Sequence, residues 1–377
     1  MTPPSIVNGQ FRIDTEAKFN YVNFLIKTNF MNSSTSKVIK PIYLQTLSLS
    51  NGFKTLASNT AYPIKVDVTG TSVSVASGNN GAKSILGYAY NNTIQNITFV
   101  NNGSNTSNRF DDGVGALLIA GHNVKLNNIN AGNDTTIYYP NNNFGTLAAN
   151  LFNSEVVSCI SKGFILSYNS SNIGGLIGNT FDNTRISKCT NTAYINYEPK
   201  NGNFTNPSRV SSSTGTNIGG IVGVANDTTI GYEGTTANKN CSNTQNIFAG
   251  SNIGGIVGYA TNNSKISANN SAKNIRGTNY VGGIVGKINH SSINNGINTG
   301  RVEVSSSYVG GITGYAENSS EVVGNTNNFI VVGNDAVGGI VGYSSYSKIN
   351  SNTADTNSVA GALSYDLSYG CGGIVGY

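Results

Sequence analysis

A five-residue phrase, Gly-Gly-Ile-Val-Gly, recurs along this 377-residue chain and limits what it can fold into. It stands as Gly174-Gly175-Leu176-Ile177-Gly178 and begins again at Gly219, Gly254, Gly282, Gly310, Gly338 and Gly372. The intervals are 45, 35, 28, 28, 28 and 34 residues, so the basic period is 28 and the longer intervals carry insertions. Upstream, Lys83-Ser84-Ile85-Leu86-Gly87, Gly115-Ala116-Leu117-Leu118-Ile119 and Gly145-Thr146-Leu147-Ala148-Ala149 keep the same register in degenerate form. About ten coils are expected from residue 81 to the end.

Within each unit a second apolar anchor follows the start of the phrase by eleven or twelve residues: Ile94, Leu126, Val156, Ile186, Ile230, Ile266, Ile293, Val322 and Ile349. A third apolar patch precedes the next phrase, as in Phe164-Ile165-Leu166 and Val302-Glu303-Val304. Short β-branched runs separated by Asn, Ser and Gly read as strands joined by turns. One unit cannot bury its own apolar side chains, whereas stacked units align like with like. The expected fold is all-β: a right-handed parallel β-solenoid, or β-helix, of about ten coils of about 28 residues with three short strands per coil. At a spacing of about 4.8 Å per coil this makes a rod roughly 45 to 50 Å long. The composition agrees, because 46 glycines and 60 asparagines serve a chain of tight corners, and only 10% of residues are charged where stacking would set like charges one rung apart.

The repeat, with its apolar anchor and the Asn/Cys position after it, resembles the GLUG-motif family, named for a glycine-leucine-any-glycine core. That family is known from bacterial IgA-peptidase-type and adhesin-like surface proteins and from Asn-rich protist proteins. The resemblance covers most of the chain and implies a scaffold, since the family's repeats are not its catalytic parts. Residues 1–80 lack the phrase. Ser5 to Ile13 reads as a strand, Asp14 or Thr15 as a cap for a helix with Phe19, Val22, Ile26 and Phe30 on one face, and Val38 to Ile42 and Ile64 to Val68 as further strands. This strand-helix lead-in is expected to cap the open end of the 81–377 solenoid; a separate small domain is the alternative. At the other end the last phrase, from Gly372, is uncapped, which suits a fragment of a longer solenoid, pairing with another subunit, or a last strand that is an adequate stop.

Cys159 and Cys189 each lie three residues after their anchors, and Cys241 fits the same slot if Gly231 to Lys239 is looped out. These thiols are expected to stack, with Asn269, Asn325 and Asn352 continuing the column. A ladder of small half-buried side chains is favoured over a redox pair or metal site, because neither histidine falls in the slot. A disulfide between adjacent coils fits on distance grounds, and Cys371 occupies a core slot filled elsewhere by Ile or Val. The residue before each anchor runs Thr93, Lys125, Glu155, Arg185, Thr229, Lys265, Ser292, Glu321, Lys348, an exposed column of partly alternating charge. Tyr259, Tyr315, Tyr343 and Tyr377 share one slot. They form either an outward aromatic stripe suited to a sugar ring, a neighbouring rod or another domain, or a set packed at the coil corner.

Catalysis has little support. Asp111-Asp112, Asp134, Asp182 and Asp227 do not cluster in register, and His122 and His290 lie far apart in the stack. The glycine phrase lacks the lysine and helix of a phosphate loop. No cofactor or metal is expected. The net charge of +5 is spread thinly, which argues against nucleic acid, and no window approaches eighteen uncharged apolar residues, which argues against membrane insertion. Met1 to Ile6 does not read as a signal peptide, so a leader was removed or that route is not used. Asn-x-Ser/Thr sites number about fourteen against roughly twelve by chance, so they do not argue for selected glycosylation. The expectation is a non-enzymatic extracellular or cell-surface solenoid, adhesive or structural, meeting glycans, surface proteins or sister molecules through a flat face or its ends. A filament- or sheath-forming protein and an accessory region of a secreted hydrolase are the alternatives.

Overall fold

The computed structural model describes residues 2–27, 40–50, 52–76, 82–101, 109–200, 202–231, 240–270, 272, 274–355, 359–360 and 370–377. The chain is a β-solenoid of stacked parallel strands. Nine strands from Leu86–Tyr90 to Val341–Ser344 form one sheet, with a bridge at Leu56 before the first and at Val375 after the last, so the stack runs for about eleven turns. The expected phrase register holds. Ile173, Ile218, Ile253, Val281, Val309, Val337 and Cys371 pair in succession, as do the anchors from Ile94 to Ile349.

Each coil feeds three sheets. In one 28-residue coil the strands are Asn279–Gly282, Val285–Asn289, Ser292–Asn294, Ile297–Asn298 and Arg301–Val304. The phrase that reads as a single strand is therefore two, with Gly283 and Ile284 turning the chain between them. The reason is steric. A Cβ on Gly282 would collide with the Val285 carbonyl, and one on Gly286 with the backbone of Asn252 in the preceding coil. Glycine lets two sheets meet here at backbone contact, and the corner cannot be made otherwise.

Gly283 has a different task. Its absent side chain leaves room for the buried amide of Asn298, and Gly175, Gly220 and Gly311 do the same for Asn191, Asn243 and Asn327. These four asparagines are 0% exposed. Asn191 Nδ2 donates to Asn243 Oδ1 at 2.8 Å and Asn298 Nδ2 to Asn327 Oδ1 at 2.7 Å, while each Nδ2 also donates to the carbonyl two residues on. A buried amide left without such partners would cost several kcal/mol; in a ladder each copy satisfies the next.

The segment before residue 80 joins the stack. Phe11 and Ile13 pair in parallel with Ile42 and Leu44, these with Val68 and Gly70, and Val68 with Ile94. Its apolar residues belong to the same core as those of the coils. Ser5 to Ile13 is a hairpin, with Ser5–Val7 antiparallel to Gln10–Ile13. The helix Glu16–Lys27 buries Phe19, Val22 and Ile26, and its first turn is capped where Lys18 N donates to Thr15 Oγ1 at 3.4 Å. Phe30 and Val38 lie outside the described residues. Among those described, no helix is long and apolar enough to cross a membrane.

The 45-residue interval is explained by a two-stranded hairpin, Tyr197–Lys200 with Asn203–Arg209, that leaves the coil and returns. Tyr197 and Val210 join Leu166 and Phe248 in a small satellite core outside the main one. The insertion read at Gly231 to Lys239 lies, beyond Gly231, outside the described residues.

Asn298→Ala is expected to destabilise the fold by about 1–3 kcal/mol, because Asn327 and Gly300 lose buried partners. Gly283→Ala should cost about as much by overpacking, and the double variant less than the two added together. Urea unfolding of the four proteins measures this; wild-type stability in Asn298→Ala would show that the amide ladder is dispensable.

Candidate functional site

The thiol column forms in the expected register, but its side chains are fully buried where half-buried ones were expected, and no disulfide joins them. Cys159, Cys189 and Cys241 occupy consecutive coils in one register, all free and buried. Cys159 N donates to Cys189 Sγ at 3.5 Å, and Cys189 Sγ reaches the Ser187 carbonyl at 3.2 Å. Burial, reinforced by its hydrogen bonds to the flanking cysteines, pushes the Cys189 thiol well up, so it is not a nucleophile at neutral pH. The continuation needs correction at one rung. Cys241 pairs with Ala268, so Asn269 stands one position off the column. The slot then passes through Gly296 to Asn325 and Asn352, where Gly296 N donates to Asn325 Oδ1 at 2.7 Å and Asn325 N to Asn352 Oδ1 at 2.9 Å. The column thus passes from apolar and thiol side chains to amides as the coils progress. Cys371 does pair with Val337 in its core column but is exposed, standing in the last described rung, where the expectation was a core residue.

The charge column is also in register, with Lys125 Nζ 3.0 Å from Glu155 Oε2 and Lys348 Nζ 3.4 Å from Glu321 Oε1. These pairs are about half exposed and stabilise by a few tenths of a kcal/mol. Asp112 Oδ1 accepts from Asn143 Nδ2 and Asp227 Oδ2 from the Asn183 amide, so these carboxylates brace turns. Among the described residues, no three His, Cys, Asp or Glu side chains are grouped to hold a metal ion.

The tyrosine stripe lies on the outward face of the nine-stranded sheet. Tyr259, Lys287, Tyr315 and Tyr343 succeed one another coil by coil, and Tyr377 stacks on Tyr343 at 5.2 Å. Lys287 was not part of the sequence expectation, yet it occupies the same slot. Its Nζ lies 4.9 Å from the Tyr315 ring centre and 2.9 Å from Glu317 Oε1. Tyr280 and Tyr308, also missed, form a second column beside the first. They are found in the sequence immediately before the Val-Gly-Gly of their phrases.

The two columns interlock. Tyr280 and Tyr308 stack at 5.1 Å with planes 4° apart, Tyr315 and Tyr343 at 4.8 Å and 8°. Across the columns Tyr315 meets Tyr280 and Tyr308 at 89° and 88°, and Tyr308 meets Tyr343 at 86°. Five such contacts, at about 0.5–1.5 kcal/mol each, outweigh the cost of holding two tyrosines in left-handed backbone, roughly 1–2 kcal/mol each. That backbone is real: φ is +53° at Tyr280 and +67° at Tyr308, where the preceding coils place Asn172, Asn217 and Asn252. Both readings of the stripe are thus partly realised, since the rings face outward and also pack on each other at the sheet corner. What remains for a partner is a half-buried row of ring edges and phenol oxygens. Burial, followed by the Glu317 carboxylate, raises the Tyr315 phenol, which therefore stays a hydrogen-bond donor at neutral pH.

No protein-family model matches the chain, and no curated protein matches it. Among solved structures it is similar to the A-module of a mannuronan C-5 epimerase from Azotobacter vinelandii, at 11% identity with 96% of each chain covered and a TM-score of 0.33. A likeness this distant carries no argument about chemistry at the tyrosine face.

In the folded protein one thiol, Cys371, is expected to react with an aromatic disulfide reagent at neutral pH, and four after denaturation. Two or more fast thiols in the native state would contradict the buried column.

Proposed function

We propose that the chain is a non-enzymatic β-solenoid scaffold, secreted or at a cell surface, that adheres through the outward face of its nine-stranded sheet. The observation that carries this reading is the interlocked set of Tyr280, Tyr308, Tyr315 and Tyr343 with Lys287 at its edge. Two tyrosines accept a backbone conformation that asparagine accepts more readily, and strain of this kind collects at functional positions. The face offers donors, ring edges and one cation at a fixed coil spacing, a rigid array that binds a surface without reordering itself. Each of its rings contacts two or more others. Such a face contacts many copies of one group at once, which suits avidity better than tight binding of one small molecule.

Wild-type protein is expected to be retained on beads coated with glycans or surface protein. The Tyr315→Ala/Tyr343→Ala double variant should cut retention at least tenfold, with far-ultraviolet circular dichroism unchanged. Retention equal to wild type would remove the tyrosine face from adhesion, release of reducing sugar from polysaccharides would overturn the non-enzymatic reading, and ordered fibres in electron microscopy at rising protein concentration would favour assembly instead.

A further inference from the structure

At the other end of the rod a polar trough follows the corner where the nine-stranded sheet bends into the longest one. It has a volume of about 520 Å³ and runs along the axis across four coils, within the usual range for sites that hold a small ligand. One wall is a column of exposed amides: Asn91, Asn123, Asn153 and Asn183, all in left-handed backbone. Their main-chain N–H groups are used by the next coil, so the side chains are what face the trough. Asn123 Nδ2 donates to Asn91 Oδ1 at 2.7 Å, which orients these two amides. The opposite wall holds the charge column, in which Lys125 and Arg185 are balanced by Glu155 and Asp67. In the floor, Asn92 is 6% exposed and its Nδ2 donates to the Val66 carbonyl, while its Oδ1 is buried with no partner among the described residues.

Beside the amides runs an aromatic column, Tyr90, His122 and Phe152 immediately before theirs and Phe181 separated from Asn183 by the exposed Asp182, in one register on the outer face. Tyr90 and His122 stack at 5.3 Å, Phe152 and Phe181 at 4.8 Å. Amides and rings therefore stand side by side, once per coil, over four coils.

We propose that this trough binds a segment of an uncharged linear polysaccharide laid along the solenoid axis, with about one sugar per coil. The coil spacing of about 4.8 Å is close to the length of one sugar ring in an extended chain. Amides pair with vicinal hydroxyls, and the ring edges form an apolar rim for the C–H face of a sugar. Two positive and two negative side chains cancel, so the trough has no field to select a polyanion. It also lacks an apolar pocket for a peptide side chain, since Val124 is the one aliphatic residue lining it and is itself buried. This proposal rests on the scaffold reading above and uses other coils of the rod than the tyrosines, at the edge of the same sheet.

The test is calorimetric titration of the full chain with cellohexaose, mannohexaose, xylohexaose and chitohexaose, each against its disaccharide. At least one hexasaccharide is expected to bind tenfold or more tighter than the matching disaccharide. Asn123→Gly/Asn153→Gly, which keeps the left-handed backbone and removes two amides, should weaken that binding at least tenfold. Tyr315→Ala/Tyr343→Ala should leave it within twofold. No binding by any hexasaccharide, equal affinity for short and long ligands, an unaffected glycine double variant, or preference for hexagalacturonate with steep salt dependence would each overturn the proposal. If the tyrosine variants lose bead retention while no hexasaccharide binds, the trough alone fails. The reverse pair of results removes the tyrosine face alone.

Discussion

The backbone hydrogen bonds that join each strand to its copy one coil away are what the rest of the structure depends on. They set a spacing of about 4.8 Å and a register, and every side-chain column follows from that register. A residue in such a stack has two immediate neighbours of its own slot, above and below, so its chemistry must be compatible with a copy of itself. Apolar residues, amides, thiols and aromatic rings all meet this condition. Charges meet it only by alternating, as Lys125 and Glu155 do.

The buried asparagines show how strongly the condition acts. An amide in the core is unfavourable alone, yet a column of them closes its own hydrogen bonds and adds those to the carbonyls two residues on. The cost is space, and the chain meets it with glycine at the facing position of the phrase. Glycine and asparagine are abundant for linked reasons: one makes room at the corner, the other fills it or turns it. The same logic allows tyrosine to replace asparagine at Tyr280 and Tyr308, where contacts between rings compensate for the backbone.

Much of the fold was legible because a repeat multiplies a weak local signal. The phrase, the anchors and the charge column could be aligned by counting, and the register in the structure is the counted one. The slip at Asn269 arose because equal spacing from the phrase was assumed: Ala268 takes the slot beside Cys241, and its coil holds one residue more before Ile275 than the preceding coil holds before Ile247. The helical lead-in hid a turn of solenoid, because Leu56 and Ile64 contribute single bridges in place of a recognisable phrase. Among the site residues, the four tyrosines in one slot could be read from spacing. Tyr280 and Tyr308 could not be joined to them, since they sit on the other side of a turn that the sequence presents as continuous strand.

By itself the sequence determined the period, the parallel stacking and which residues share a column, because these depend only on spacing along the chain and on the need to bury like against like. The tertiary structure alone decided which columns become neighbours. Folding the phrase at Gly-Gly brings the tyrosines before it against those after it, and bending the sheet at the left-handed asparagines sets amides beside rings. Both depend on corner angles and backbone contact between sheets, quantities that no one-dimensional spacing contains.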